Sequence, residues 1–328
     1  MSLWEQKIKP MLAFPAKPFD DENFIFEIKF DGTRAIAYVD VANKALRLLN
    51  RRMLYIEHRY PELRELLDCV SAKKVILDGE IVVFEKGKPS FKKLAEREHV
   101  DDELRIELLS KLMPACYVVF DVLHKDGKDL IELPLMERKR ILKEVVREGE
   151  HVLIASYVKG KGTAFFEECK RMGLEGVVAK KVDSPYLLGK RSKYWLKIKV
   201  LRSIDCVIAG FTRGEGKRAQ YFGALLLGVY DKGKLRYVGR VGTGWSESEL
   251  ATLTSTLKKM VIEQNPFDIF EEESEIIKKT CFVRPELVCE VKFMEVTQDL
   301  KLRAPSFVRL RRDKLPSECK VDQLVNLT

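Results

Sequence analysis

No run of about 18 consecutive apolar residues occurs in the 328-residue sequence, so no segment is long and apolar enough to cross a bilayer as a helix. The opening MSLWEQKIKP also lacks an apolar core of signal-peptide length. The expectation is a soluble cytoplasmic protein with no membrane partner. The cysteines are odd in number (Cys69, Cys116, Cys169, Cys206, Cys281, Cys289 and Cys319) and contain no C-x-x-C pair. Their scatter argues against a disulfide framework and against a zinc site. Most should be small buried hydrophobes in a reducing compartment. Asn and Gln are scarce beside 33% charged residues, a balance that suits heat, because amides are labile and ion-pair networks gain value when hot. Repeats, low-complexity tracts and a disordered tail are missing too.

What is present is positive charge. Lys and Arg number 59 against 50 Asp and Glu, a net charge of +9 with a pI near 9.0. Such a balance favours polyanionic partners, although charge alone would suit a ribosome-associated or membrane-surface protein equally. The length exceeds what one hydrophobic core usually organises, which predicts two domains.

The first 200 residues alternate β-rich runs with helical stretches. FIFEIKF, RAIAYVD, KALRLLN, KVILDGEIVVFE and CYVVFDVL are rich in Val, Ile, Phe and Tyr and read as strands. PELRELLDCV and LMERKRILKEVVRE carry leucines and valines at helical spacing. Thr163 to Met172 reads as another helix, closed by Gly173. After about residue 200 the texture changes to short strands and tight turns: DCVIAGFTRG, ALLLGVYDKGKLRYVGRVG and LVCEVKFMEVT. Asp231-Lys232-Gly233 is a hairpin signal. Val288, Glu290, Lys292 and Met294 alternate with Val291, Phe293 and Val296, as in a sheet with one wet face. Ser246 and Glu249 form a capping box opening a helix to about Lys259. The predicted class is α+β: a mixed-sheet domain over residues 1–200, then an all-β barrel of the OB type over residues 201–328.

Between Ser184 and Ile204 there is no carboxylate, while Lys190, Arg191, Lys193, Lys197, Lys199 and Arg202 all occur. A solvated linker usually mixes both signs, so this stretch points to phosphate binding.

The chemistry begins at Lys29-Phe30-Asp31-Gly32-Thr33-Arg34, between two apolar strands. An amine, a carboxylate and a guanidinium then surround one small cavity. A nucleophilic lysine must lose its proton, and desolvation or neighbouring cations favour that loss. Lys197 and Lys199 are the candidate cations. Alone, the segment would equally be a hairpin with surface charges. It is followed, in order, by Leu77-Asp78-Gly79-Glu80, by Phe120-Asp121 closing YVVF, by Glu175-Gly176-Val177-Val178-Ala179-Lys180-Lys181 and by Trp195-Leu196-Lys197-Ile198-Lys199. In this order and spacing the five segments resemble the motifs of the covalent lysyl-nucleotidyltransferases, which comprise ATP-dependent DNA ligases, RNA ligases and messenger-RNA capping enzymes.

The resemblance implies a role for each segment. Lys29 would carry AMP, with Glu27, Ile28 and Arg34 beside the nucleotide. Glu80 would hold the ribose hydroxyls, since a carboxylate accepts two such bonds, and Phe120 would stack on adenine. Glu175, with Glu80, would bind Mg²⁺ or Mn²⁺. Lys197 and Lys199 share one side of a strand and would grip the α-phosphate. Arg51, in Leu49-Asn50-Arg51-Arg52-Met53, takes the place of a short arginine motif, although Arg52-Met53 departs from the usual Ser-Gly.

In the second domain, Phe222 to Gly228, Val238 to Gly244, and Leu302 to Phe307 leading to Arg311-Arg312-Asp313-Lys314 resemble the OB domain of DNA ligases. The likeness is greatest to the ligase domain of bacterial ligase D and to free-standing archaeal ligases. It implies that Arg311 and Lys314 orient the pyrophosphate leaving group, and that Lys190, Arg191 and Lys193 contact nicked double-stranded DNA. It also implies ATP as AMP donor, a monomeric nucleoid-associated enzyme of repair or end joining, and a Ku-like end-binding protein and a repair polymerase as partners. Only 28 residues precede Lys29, so these two domains or such partners are expected to encircle DNA without a leading helical domain. Two rivals stand beside this reading: another lysyl-nucleotidyltransferase such as an RNA ligase, and a non-catalytic OB-type nucleic-acid-binding protein.

Overall fold

A computed structural model describes residues 2–325. The chain divides into two compact units, residues 1–200 and 201–328. The first contains two sheets. The larger runs Ala45–Asn50, Thr33–Asp40, Lys74–Glu85, Ala115–Lys125, Lys128–Asp129, with Lys88–Pro89 and the parallel strand Val152–Ile154 added at its sides. The smaller runs Leu12–Pro15, Arg191–Lys199, Gly176–Lys181, Asp21–Ile28, Tyr157–Gly160.

Strand periodicity explains how the sheets stack. In Thr33–Asp40, Ala35, Ala37 and Val39 enter a core shared with Leu63, Leu66 and Leu142, while Ile36 and Tyr38 enter another shared with Trp195 and Tyr186. Trp195 and Tyr186 come from residues that build or flank the smaller sheet, so this second core is common to both sheets. The far side of the smaller sheet, through Phe26, Val177, Ala179 and Ile198, packs on Phe166 and Cys169 of the helix Gly162–Arg171. That helix ends as expected. Gly173 has φ +73°, and its N–H and that of Leu174 close back on Lys170 O and Cys169 O, a glycine-terminated cap.

One alternative is excluded and two expectations need correction. Phe30 to Gly32 does not close the alternative hairpin, because Asp21–Ile28 and Thr33–Asp40 lie in different sheets. PELRELLDCV is a 3₁₀ turn, Pro61–Glu65, followed by a single helical turn, Leu66–Cys69. Leu63 and Leu66 are buried and Leu67 partly so, as the spacing implied, but the segment is too short to sustain a longer helix. Phe120 does not end its strand, which continues to Lys125. The register instead passes from Gly79↔Val119 to Asp78↔Asp121 and skips Phe120, a bulge that re-aims the ring.

The second unit is an antiparallel six-stranded sheet of OB-type half-barrel, built on the long strand Thr280–Phe293. The helix Glu247–Lys258 opens with the expected Ser246–Glu249 capping box and buries Leu250, Leu253 and Leu257 against one face. The other face is wet only in part. Val288 is buried there with Phe267, Leu235 and Tyr237, because the Phe267 segment folds over that end and covers it. Of the cysteines, Cys69, Cys169, Cys206, Cys289 and Cys319 are buried and all seven are free thiols. Among the described residues no helix is long and apolar enough to cross a membrane.

Candidate active site

A cavity of about 700 Å³ opens between the two sheets. Its walls follow from strand alternation. Lys197 and Lys199 share the Trp195 side of their strand, while Leu196 packs on the opposite core. Glu80 shares its strand face with Ile76 and Val82, and Arg34 lies directly across from it on Thr33–Asp40.

Lys29 stands one residue beyond Asp21–Ile28, its N–H still bonded to Gly176 O at 2.9 Å. Its ammonium meets Glu175 Oε2 at 2.5 Å, and Lys199 Nζ meets Glu175 Oε1 at 3.0 Å. Burial lowers the pKa of Lys197, and the charges of Lys199, Arg191, Lys29 and Arg51 lower it further. Five cations therefore converge where a polyphosphate would be welcome. Glu80 keeps part of its surface open to the cavity, yet burial pushes its carboxyl up to about 7 against the opposing pull of Arg34 and Lys29. Asp78 and Glu175 add to that rise by repulsion. Two acidic side chains within reach of each other's charge form a hard-oxygen pair that suits a divalent cation drawing its other ligands from phosphate and water. Among the described residues no group of three or more His, Cys, Asp or Glu side chains converges on a metal position.

Gly32 explains the Asp-Gly step. A Cβ there would lie 2.3 Å from Ile81 O and 2.9 Å from Glu80 Cγ, so the crossing between sheets requires a bare backbone. Gly32→Ala should lose roughly 1–3 kcal/mol from overpacking, read as a lower midpoint in thermal unfolding. A midpoint equal to that of the wild type would show that the crossing has room to spare.

Phe120 and Trp195 form the aromatic end of the cavity, their rings 6.2 Å apart at 78°. Arg34 lies 4.7 Å from the Phe120 centroid, and Lys180 Nζ 4.1 Å. Asp78 locks Arg34 in place. Nε and Nη2 each donate to its carboxylate at 2.6 Å, and Tyr186 donates its hydroxyl to the same group at 2.5 Å. Burial opposes the charge on Arg34, but Asp78 outweighs it and holds the guanidinium protonated.

The structure thus brings together Glu27, Ile28, Lys29, Arg34, Arg51, Glu80, Phe120, Lys197 and Lys199 in the cavity lining, with Glu175 paired to two of them. Arg191, expected with Lys190 and Lys193 among the DNA contacts, is exposed as they are and also lines the cavity. Arg311 and Lys314 belong to the second unit, where both pair with Asp205, at 3.0 and 2.6 Å. Lys180, Trp195 and Val178 also line the cavity, and the motifs alone assign them no role. The period-two alternation of Lys197 and Lys199, carried back along their own strand to Trp195 and across to its neighbour at Val178 and Lys180, is the signal that finds all three.

Residues 10–199 match the family of the ATP dependent DNA ligase domain, and residues 218–314 the ATP dependent DNA ligase C terminal region. The chain is 36% identical over 312 residues to the multifunctional non-homologous end joining protein LigD of Mycolicibacterium smegmatis, covering 94% of this chain and 39% of that protein. It is 33% identical over 333 residues to a DNA ligase of Thermococcus fumicolans, covering 95% of this chain and 57% of the relative. The crystallised ligase domain of LigD from M. tuberculosis aligns with 97% of this chain and 99% of its own length, at 32% identity and a TM-score of 0.54. The chain therefore spans 39% to 57% of the length of these two full-length relatives. With both of its units matched and the lysine, carboxylate and aromatic segments gathered on one cavity, the chain belongs to the ATP-dependent DNA ligase family.

Proposed function

We propose that this protein seals nicks in double-stranded DNA through an AMP carried on Lys29. The observation that supports this best is the position of the Lys29 amine in one cavity with the Phe120 ring, the Glu80 carboxyl and the Lys197 and Lys199 ammonium groups. An aromatic wall for a base, an acid for ribose and cations for phosphates then line one cavity, the kinds of group that ATP requires.

In the first step Lys29 Nζ forms a bond to the α-phosphorus of ATP, the bond to pyrophosphate breaks, and the proton leaves Nζ toward Glu175 Oε2, 2.5 Å away. Lys197 and Lys199 neutralise charge that develops on the α-phosphoryl oxygens. A divalent cation held by Glu80 and Glu175 would supply further neutralisation of phosphate charge. In the second step the AMP passes to the 5′-phosphate of the nick, freeing Lys29. In the third the 3′-hydroxyl displaces AMP and closes the phosphodiester. Arg311 and Lys314 are proposed to serve the first step only, where pyrophosphate leaves. By likeness to the end-joining relatives, a Ku-like protein and a repair polymerase are proposed partners of a monomeric, nucleoid-associated enzyme.

The test is mass spectrometry of the protein after incubation with ATP, where an adduct of about 329 Da on Lys29 is expected and added pyrophosphate should remove it. GTP and nicked RNA, as parallel substrates, separate a capping enzyme or an RNA ligase from the proposal. A protein that takes no adduct and only binds nucleic acid would sink it.

Exposed Lys190 and Lys193 lead to a prediction about DNA. Nick binding should weaken steeply with salt as phosphate contacts release counterions, and neutralising both residues should lower the log–log salt slope by about 2. Arg191 is left intact because it lines the cavity. A slope equal to that of the wild type would return the stretch to a solvated surface.

A further inference from the structure

Asp205 stands on the strand Arg202–Arg213 of the second unit and is 6% exposed. Its place is fixed, because its own N–H donates to Gln323 Oε1 at 3.1 Å. Glu290, opposite it in the register, is taken up by Arg309 at 2.8 Å. Asp205 instead receives two cations from the turn that follows the strand Ser306–Leu310. Arg311 Nη1 donates to both of its oxygens at 3.0 and 3.1 Å, and Lys314 Nζ donates to Oδ2 at 2.6 Å. The turn is anchored as well, since Arg311 N–H bonds to Val288 O at 2.8 Å.

The two carboxylates on Arg311 differ in kind. Asp313 meets the Nε and Nη2 edge at 3.0 and 2.8 Å, and its side chain is 67% exposed against 9% for Asp205. That edge of a guanidinium fits two oxygens of one phosphate. An exposed ion pair is worth little, so Asp313 gives way to a polyphosphate cheaply, whereas a buried partner that left would strand its charge. Arg311 and Lys314 also border a groove of about 560 Å³ within this unit, with Asp205 behind them. The hydrogen bond to Asp205 raises the pKa of Lys314, which keeps its ammonium charged.

We infer that Asp205 is a positioning residue for the adenylation step, gathering Arg311 and Lys314 on one fixed carboxylate so that both cations meet the leaving pyrophosphate together. This rests on the proposed role of those cations toward pyrophosphate. Without the carboxylate the two like charges repel and splay. Pyrophosphate must then bring them together as it binds, and its affinity falls by the cost of ordering them.

The experiment loads the full chain with AMP on Lys29 and adds pyrophosphate, which runs the first step backward. A pyrophosphate oxygen bonds to the phosphorus, the bond to Lys29 Nζ breaks, Nζ recovers a proton, and ATP leaves. Asp205→Asn should raise the half-saturating pyrophosphate concentration about tenfold and leave the maximal discharge rate within about threefold. A role in folding alone would lower the fraction of protein that discharges without moving the half-saturation. Asp205→Glu keeps every charge paired and shifts the carboxylate by one methylene, so a rise of about threefold is expected from it, and it carries the test if Asp205→Asn does not fold. Arg311→Ala is the reference. If it raises the half-saturation while a folded Asp205→Asn, or Asp205→Glu in its place, stays at or below the wild-type value, the inference alone is overturned. If Arg311→Ala itself leaves the half-saturation unchanged, the pyrophosphate reading of the cations falls, and the inference with it. A wild type that takes no AMP overturns the lysyl-AMP reading and everything built on it.

Discussion

Lys29→Arg takes no AMP from ATP while keeping its fold and its ability to seal a nick adenylated beforehand. The arginine keeps a positive charge near Glu175, which meets the lysine at 2.5 Å in the wild type, so the half-buried acid keeps both of its cationic partners. What the arginine cannot do is attack, because a guanidinium stays protonated at any working pH. The adduct should fall by more than about 10³-fold, the scale on which removing a covalent nucleophile is felt. Closure of a pre-adenylated nick should survive, since that step uses the 3′-hydroxyl as nucleophile and leaves Lys29 a bystander. The measurement pairs labelling from α-labelled ATP with sealing of ordinary and pre-adenylated nicks, and an unfolding midpoint confirms the fold. Equal labelling of the variant and the wild type would remove Lys29 from the reaction.

Arg311→Ala and Glu175→Ala divide the reaction differently. Arg311 Nη1 lies 3.0 and 3.1 Å from the two oxygens of Asp205, Lys314 Nζ lies 2.6 Å from one of them, and Asp313 holds the other end of the guanidinium at 2.8 Å. In this arrangement both cations are neutralised within their own unit. If Arg311 serves to orient pyrophosphate, its loss removes stabilisation specific to the first transition state. A loss of roughly 10²- to 10³-fold in lysyl-AMP formation is expected, the size of one preorganised donor. Sealing of pre-adenylated nicks should change by a few-fold at most, because no pyrophosphate leaves there. Glu175→Ala frees Lys29 and Lys199 from their shared partner and removes a candidate metal ligand, so it should slow both assays. Single-turnover rates on the two nick types decide the matter. Proportional loss of both by Arg311→Ala would make Arg311 a DNA-binding or structural residue.

The segments carrying the chemistry were legible because strands impose a period of two and motifs keep their order. Alternation alone assigns Lys197 and Lys199 to one face, and in the fold they share it. The capping box at Ser246 was equally local, and it formed. What escaped was set by contacts distant in sequence. The bulge at Phe120 depends on pairing with Asp78 and Gly79, some forty residues earlier. At Phe30 to Gly32 a hairpin stayed open as an alternative, because nothing local reveals that the two flanking strands belong to different sheets. Arg191 is exposed, as its place in a basic run implies, but its position on the cavity rim depends on the pairing of Leu12–Pro15 with Arg191–Lys199.

The core shared by the two sheets gives them a common hinge. Lys29 rides on the smaller sheet and Glu80 and Phe120 on the larger, so the spacing between Lys29 and the Glu80–Phe120 wall is set by how Ile36, Tyr38, Val118, Tyr186 and Trp195 pack. Much of the alignment of the cavity walls is therefore stored in side chains that pack on each other. Variation at Ile36, Tyr38, Val118 or Tyr186 has a place to act there, with every motif residue left untouched.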